Sequence, residues 1–287
     1  MSSAASQQAL VNVFRRDPKN VGDWWSVPTK FFQLGGTEVE LLDSAPMPEG
    51  AKLVVVGGGG LGRANAFANA LRRLDAPGRA YGLVAWGVGS DTVTEKLRLL
   101  PGPTDMDSLF PFFDMFDLVG TRIDPSFGYP DDRYVWVPCA SCMSPLFDSL
   151  RDVRPTERIG VYRHLRVSVA PHLRKGKPLW DRLFKRYPTA SNSGTDLESK
   201  LRFMARFETI VTNSYHGVYW ATLLNRKVVC LPFKNGLFSF RHPPSNMVEG
   251  GFDTAIANAR NYPDALQECR TANIDFFSRV SKQFGVI

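Results

Sequence analysis

The 287-residue chain is 44% hydrophobic and 22% charged, a balance that fits a soluble globular protein and excludes a disordered or membrane-embedded one. Its net charge of +7 suits an anionic partner: nucleic acid, an anionic membrane surface or a phosphorylated small molecule. No apolar run approaches the roughly 18 to 20 residues that span a bilayer, and no charged-then-apolar leader is present, so a cytoplasmic protein is expected.

In chain order, residues 9–14 are a strand candidate. Asn20-Val21-Gly22-Asp23 then precedes an aromatic stretch expected to be helical over 24–34, with Asp23 as a favoured N-cap. Leu53-Val54-Val55-Val56 reads as a buried strand of the parallel type. It runs into Gly57-Gly58-Gly59-Gly60-Leu61-Gly62, and a helix is expected over 64–74. Further strands are expected over 81–86, 116–119 and 134–137, each ending in glycine, proline or a polar residue. Such alternation argues for a doubly wound α/β layer.

The polar stretch 148–157 is the best linker, and the same grammar restarts with a strand over 158–163. Helices over 179–187 and 197–207 follow. Thr209-Ile210-Val211 then reads as a short buried strand, and Thr212-Asn213-Ser214-Tyr215-His216-Gly217 as the turn into a helix over 218–224. A strand over 228–231 and a final helix over 264–283 complete the chain. The expected fold is α/β, with two Rossmann-like domains facing a cleft. The first covers 1–150, the second 151–262, and 263–287 is a C-terminal helix able to cross back over the first half.

The four cysteines do not form a disulfide framework. Cys139-Ala140-Ser141-Cys142 has CxxC spacing but no second pair to complete a zinc site, so no metal is expected. Basic residues are scattered and lack interleaved aromatics, which argues against nucleic acid. The glycine run is not a dinucleotide fingerprint, for no suitably placed acidic residue follows a second strand, and it lacks the Lys-Ser/Thr ending of a P-loop.

Taken together and in order, Asn20-x-Gly22-Asp23, the strand into Gly57 to Gly60, and Thr212-Asn213-Ser214-Tyr215-His216-Gly217 resemble the polysaccharide pyruvyltransferase family. Gly120-Thr121-Arg122-Ile123-Asp124 adds weaker support, and the resemblance covers about residues 10 to 235. It implies a GT-B-like architecture and transfer of the pyruvyl unit of phosphoenolpyruvate onto a saccharide. The product is a ketal with release of phosphate, and neither a metal nor a resident cofactor is implied. The chain departs from the family pattern at Asn213 and Ser214, where many members carry an arginine.

Such chemistry needs a carboxylate and a phosphate held, a proton supplied and hydroxyl protons accepted. His216, at a helix start on the carboxyl side of a sheet, is expected to bind the donor as imidazolium or to deliver the proton. Asp23 is the candidate base, with Asn20 orienting substrate. Gly58 and Gly59 allow close backbone approach to a ligand. Arg122, Arg163 and His164, at strand ends, are candidates to grip the donor's anionic groups. Ser214 and Lys234 complete the expected substrate-binding set, Lys234 lying with Arg241 and His242 in a loop that either closes over the acceptor or is ordinary surface. A lipid-linked saccharide at the inner membrane face would suit the positive charge. Two other readings stand beside this one: a GT-B glycosyltransferase using a nucleotide sugar, and a non-catalytic saccharide or polyanion binder.

Overall fold

Apolar runs buried on both faces become the strands of two wholly parallel sheets, as expected for α/β layers covered by helices. The computed structural model describes residues 10–32, 34–43, 47–61, 67–89, 113–165, 177–231, 240–247 and 251–285. In the first half these form β1 (Leu10–Phe14), α1 (Val21–Trp24), β2 (Thr37–Glu40), β3 (Leu53–Gly59), α2 (Ala68–Leu74), β4 (Gly82–Val88), β5 (Leu118–Thr121), β6 (Tyr134–Trp136) and α3 (Leu146–Leu150). The second half supplies β7 (Glu157–Arg163), α4 (Lys177–Arg186), β8 (Thr189–Ser191), α5 (Leu197–Ala205), β9 (Phe207–Thr212), α6 (Tyr215–Leu223), β10 (Lys227–Cys230), β11 (Ser245–Asn246), α7 (Gly251–Asn258) and α8 (Ala265–Phe284).

The six-stranded sheet has the order β2-β1-β3-β4-β5-β6, and the five-stranded sheet the order β11-β10-β9-β7-β8. Both are Rossmann-like. Alternation places Val54 and Val56 in one hydrophobic cluster and Leu53 and Val55 in another, on opposite faces of the first sheet. In each sheet the strand order reverses once. The reversal falls between β1 and β3 in the first sheet and between β7 and β9 in the second. In open α/β sheets, ligands bind outside the carboxyl ends of the strands at such reversals.

Several elements differ from expectation. The helix placed over 24–34 begins at Val21, capped by Asn20, and ends at Trp24. Pro28 then opens a separate single 3-10 turn, Pro28–Lys30, so Asp23 sits inside the helix and is not its cap. The glycine run is not a loop at its start: β3 continues through Gly59. Strand β2 carried no clear apolar signal because it is an edge strand with no fully buried residue.

The C-terminal helix α8 packs on both sheets' cores. Ala265, Leu266 and Cys269 join the cluster around α5 and α6, whereas Phe276 and Val280 join the cluster under β3 and β4. Asn273 sits between these groups, fully buried, and its Oδ1 accepts a 2.9 Å hydrogen bond from Trp86 Nε1. Phe276 meets Trp86 edge-on at 5.0 Å between centroids. Gly120 leaves room for it, since a Cβ there would lie 2.9 Å from the Phe276 ring. Among the described residues no helix is long and apolar enough to cross a membrane.

Candidate functional site

At the reversal of the first sheet, Asn20 organises the chain after β1. Its Oδ1 accepts from the Gly22 backbone N–H (3.2 Å), and its Nδ2 donates to Asp23 Oδ2 (2.7 Å). A carboxylate in a helical first turn is favoured by the free N–H groups there. Beside it ends β3, with Gly58 at φ 67° and Gly59 at φ 106°, both in the region that favours glycine. A Cβ on Gly58 would lie 2.1 Å from Ser26 Cβ, so packing alone accounts for that glycine. Gly59 faces Asp23: its Cβ position is 4.0 Å from Asp23 Oδ1.

At the reversal of the second sheet, the backbone N–H of His164, just past β7, donates to Asn213 Oδ1 (2.8 Å), just past β9. Asn192 closes the gap to the first sheet. Its Oδ1 accepts from Leu165 N (2.9 Å), its Nδ2 donates to Asn20 Oδ1 (2.9 Å), and its carbonyl accepts from Val21 N (2.9 Å). Trp25 Nε1 adds a 2.6 Å bond to the Thr195 carbonyl. The carboxyl ends of the two sheets therefore face one another across α1.

His216 lies where the two reversals meet. It sits in the first turn of α6, which is buried on nearly every side. Gly217 makes that burial possible, because a Cβ there would lie 2.2 Å from Thr212 Oγ1 and 2.8 Å from Tyr162. The imidazole is packed against α1 so tightly that a Cβ on Gly22 would lie 2.1 Å from its Nδ1. On the other side Nε2 is 3.5 Å from Cys139 Sγ. Cys139 Sγ is in turn 3.2 Å from Ser141 Oγ, which accepts a 2.9 Å bond from Trp220 Nε1. Burial pushes the Cys139 thiol up, so it stays protonated.

His216 is only 7% exposed. Burial first, then the nearby charges of Arg122 and His164, hold its pKa well below the usual histidine value. This favours the neutral imidazole when no ligand is near. Arg122, just past β5, is 6% exposed and lays its guanidinium 3.8 Å over the Tyr215 ring. Its Nη1 is buried with no hydrogen-bond partner among the described residues. Arg163, at the end of β7, stacks 5.0 Å from Phe184, and its buried Nε likewise lacks a partner.

Of the residues expected from sequence, Asn20, Asp23 and Gly59 stand at one reversal and His164 and His216 at the other, with Arg122 beside His216. Ser214 is buried and offers no side-chain cap to α6; its N–H is bonded to Thr212 Oγ1 at 3.0 Å. Lys234 lies outside the described residues. Sequence reasoning missed Asn192, and Cys139 was weighed only as half of a CxxC pair. Among the described residues no group of three or more His, Cys, Asp and Glu is placed to hold a metal ion.

No family model matches the chain, and no curated protein matches it in sequence. Solved structures do resemble it in architecture. A UDP-N-acetylglucosamine 2-epimerase is 10% identical with a TM-score of 0.49, covering 98% of this chain and 97% of that one. The wall teichoic acid polymerase TagF is 9% identical with a TM-score of 0.41, over 95% of this chain and 84% of the other. A functionally uncharacterized protein from Klebsiella pneumoniae is 14% identical with a TM-score of 0.44, over 79% and 84%. The two sheets themselves, rather than these likenesses, establish the architecture of this chain.

Proposed function

We propose that the chain is a saccharide-directed transferase that moves the pyruvyl unit of phosphoenolpyruvate onto two hydroxyls of an acceptor and releases phosphate. One observation carries this reading. The Asn20-x-Gly22-Asp23 turn, Gly59 and the Tyr215-His216-Gly217 turn, far apart in sequence, are brought together at the reversals of both sheets. Arg122 and His164 stand within electrostatic reach of His216. A site with clustered cations and a buried neutral histidine favours an anionic ligand.

In the reaction, two acceptor O–H groups are lost and two C–O bonds form at the enol carbon. One of the two protons goes to the methylene carbon, making the methyl group, and the other leaves with phosphate. Asp23, held by Asn20, accepts a hydroxyl proton. Arg122 and His164 hold the donor's carboxylate and phosphate. Desolvation is the largest cause of the depressed pKa of His216, and Arg122 and His164 add to it; negative charge arriving beside the ring offsets that added part and favours a proton there, which the ring can pass to the methylene carbon. A lipid-linked acceptor at an anionic membrane face fits the net charge of +7.

The assay is phosphate release from phosphoenolpyruvate in the presence of a panel of mono- and disaccharide acceptors. Asp23→Asn should keep the fold and lower turnover by about 10²-fold or more, the usual size of a general-base contribution. Full activity in Asp23→Asn would remove the base assignment. Turnover of UDP- or GDP-sugars in place of phosphoenolpyruvate would replace the donor with a nucleotide sugar.

A further inference from the structure

His216 is backed by three residues that the pyruvyl-transfer reading does not use: Cys139, Ser141 and Trp220. Their polar atoms form a line. Trp220 Nε1 lies 2.9 Å from Ser141 Oγ, Ser141 Oγ 3.2 Å from Cys139 Sγ, and Cys139 Sγ 3.5 Å from His216 Nε2. Trp220, Ser141 and Cys139 are all fully buried, so these atoms find their partners in one another.

The line has a direction. An indole N–H only donates, so Ser141 Oγ accepts from Trp220. The serine's own proton then needs an acceptor, and among the described residues Cys139 Sγ is the one within reach. Were the thiol to donate to Ser141 instead, the hydroxyl proton would be left buried and unpaired, which is the costlier arrangement. With Sγ accepting from Ser141, the thiol proton points on to His216 Nε2. Burial keeps that proton on the sulfur. Nε2 therefore accepts, and the neutral ring carries its proton on Nδ1.

Nδ1 is the nitrogen on the α1 side, where a Cβ on Gly22 would lie 2.1 Å away and where Asp23 follows in the chain. The other charged and titratable groups around the ring are Arg122 past β5, His164 past β7 and Tyr215 beside it in α6, with Asp23 of α1 within electrostatic reach of Cys139. Among the described residues, the contact at Nε2 is with the thiol.

We infer that Cys139 is a positioning residue for His216: its thiol, oriented by Ser141 and Trp220, donates to Nε2 and fixes the Nδ1–H tautomer. A bond donated to the neutral ring must be given up when Nε2 takes a proton, so the same contact makes the imidazolium a stronger acid. The use of that acid in protonating carbon rests on the transferase reading above; the tautomer does not.

The test is a long-range proton–nitrogen correlation spectrum of the full chain with isotopically labelled histidines, the His216 signals being those lost in His216→Gln. The parent should show a protonated Nδ1 and an unprotonated Nε2. Cys139→Ser, which keeps a donor, should do the same, whereas Cys139→Ala should move the proton toward Nε2. Ser141→Ala, which leaves the thiol but removes the hydroxyl that orients it, should mix the two tautomers and guards against a folding defect in Cys139→Ala. In phosphate release from phosphoenolpyruvate, the alkaline limb of kcat, where the protonated ring is lost, should move up by about 0.5 to 1 pH unit in Cys139→Ala and return in Cys139→Ser. Damaged packing alone would lower kcat without moving the limb. A parent ring protonated on Nε2 overturns the assignment, as does the parent's tautomer persisting in both Cys139→Ala and Ser141→Ala. An unmoved limb with a changed tautomer would remove the acid-strengthening role. The expected spectra without any turnover of phosphoenolpyruvate would keep the Cys139 assignment and sink the pyruvyl donor.

Discussion

His216 shows how burial sets chemistry at a single residue. Its ring is fixed between the Gly22 backbone and the Cys139 thiol, and desolvation together with Arg122 and His164 keeps it neutral. His242 is also shifted downward, by burial, although Glu268 opposes the shift. The unfolded chain takes up protons at these histidines near pH 6.5, where the folded chain does not. The unfolded state thus binds more protons, so this contribution to stability is intact above about pH 6.5 and is lost as pH falls toward the folded values. The carboxylates held low by ion pairs, such as Asp148 beside Arg270, respond only at more acid pH. Urea denaturation should show lower stability at pH 5.5 than at pH 7.5, with a smaller difference in His216→Asn. A flat profile across that interval would contradict a buried neutral His216.

At the level of elements, α1 is the piece on which the site depends, and it is four residues long. So short a helix has little intrinsic stability, and tertiary contacts must hold it. Asn20, Asn192 and the His216 ring supply them. Gly22→Ala would force a Cβ to within 2.1 Å of His216 Nδ1, where neither the helix backbone nor a ring backed by Cys139 can easily give way. The expected cost is about 1–3 kcal/mol of stability, read by urea denaturation, because overpacked sites of this kind lose that much. A Gly22→Ala protein as stable as the parent would mean that α1 and α6 do not meet in solution.

The same helix marks the limit of what could be read from sequence. Aromatic residues after Asp23 suggested a longer helix, but Pro28 lacks the N–H and restricts the residue before it, so the chain starts a new turn there. The strands at 53–59, 82–88 and 207–212 were legible because both of their faces are buried, which writes a nearly continuous apolar run. Gly57 and Gly58 were legible as special but not as to why: Pro28 and Ser26 press against them from an element far away in sequence. Asn192 had no local signature, since its meaning comes only from the contacts it makes with Asn20, Val21 and Leu165.

For the whole molecule, two Rossmann-like sheets present their strand reversals to each other, and α8 fastens them by lying in the cores of both. His216 and Asp23 were expected to share a cleft on strand-end position alone. The structure brings their turns into contact through Gly22, with Gly59 and Arg122 at the flanks. The central claim is that this junction receives phosphoenolpyruvate and that His216 gains a proton when it does. It is tested most directly by titrating phosphoenolpyruvate calorimetrically near pH 7 in two buffers of different ionisation enthalpy, with UDP- and GDP-sugars as competitors and His216→Ala as control. Binding that nucleotide sugars do not displace, with an apparent enthalpy that depends on the buffer in the parent but not in His216→Ala, is the predicted result. No phosphoenolpyruvate binding, or binding without buffer dependence and unaffected by His216→Ala, would contradict it.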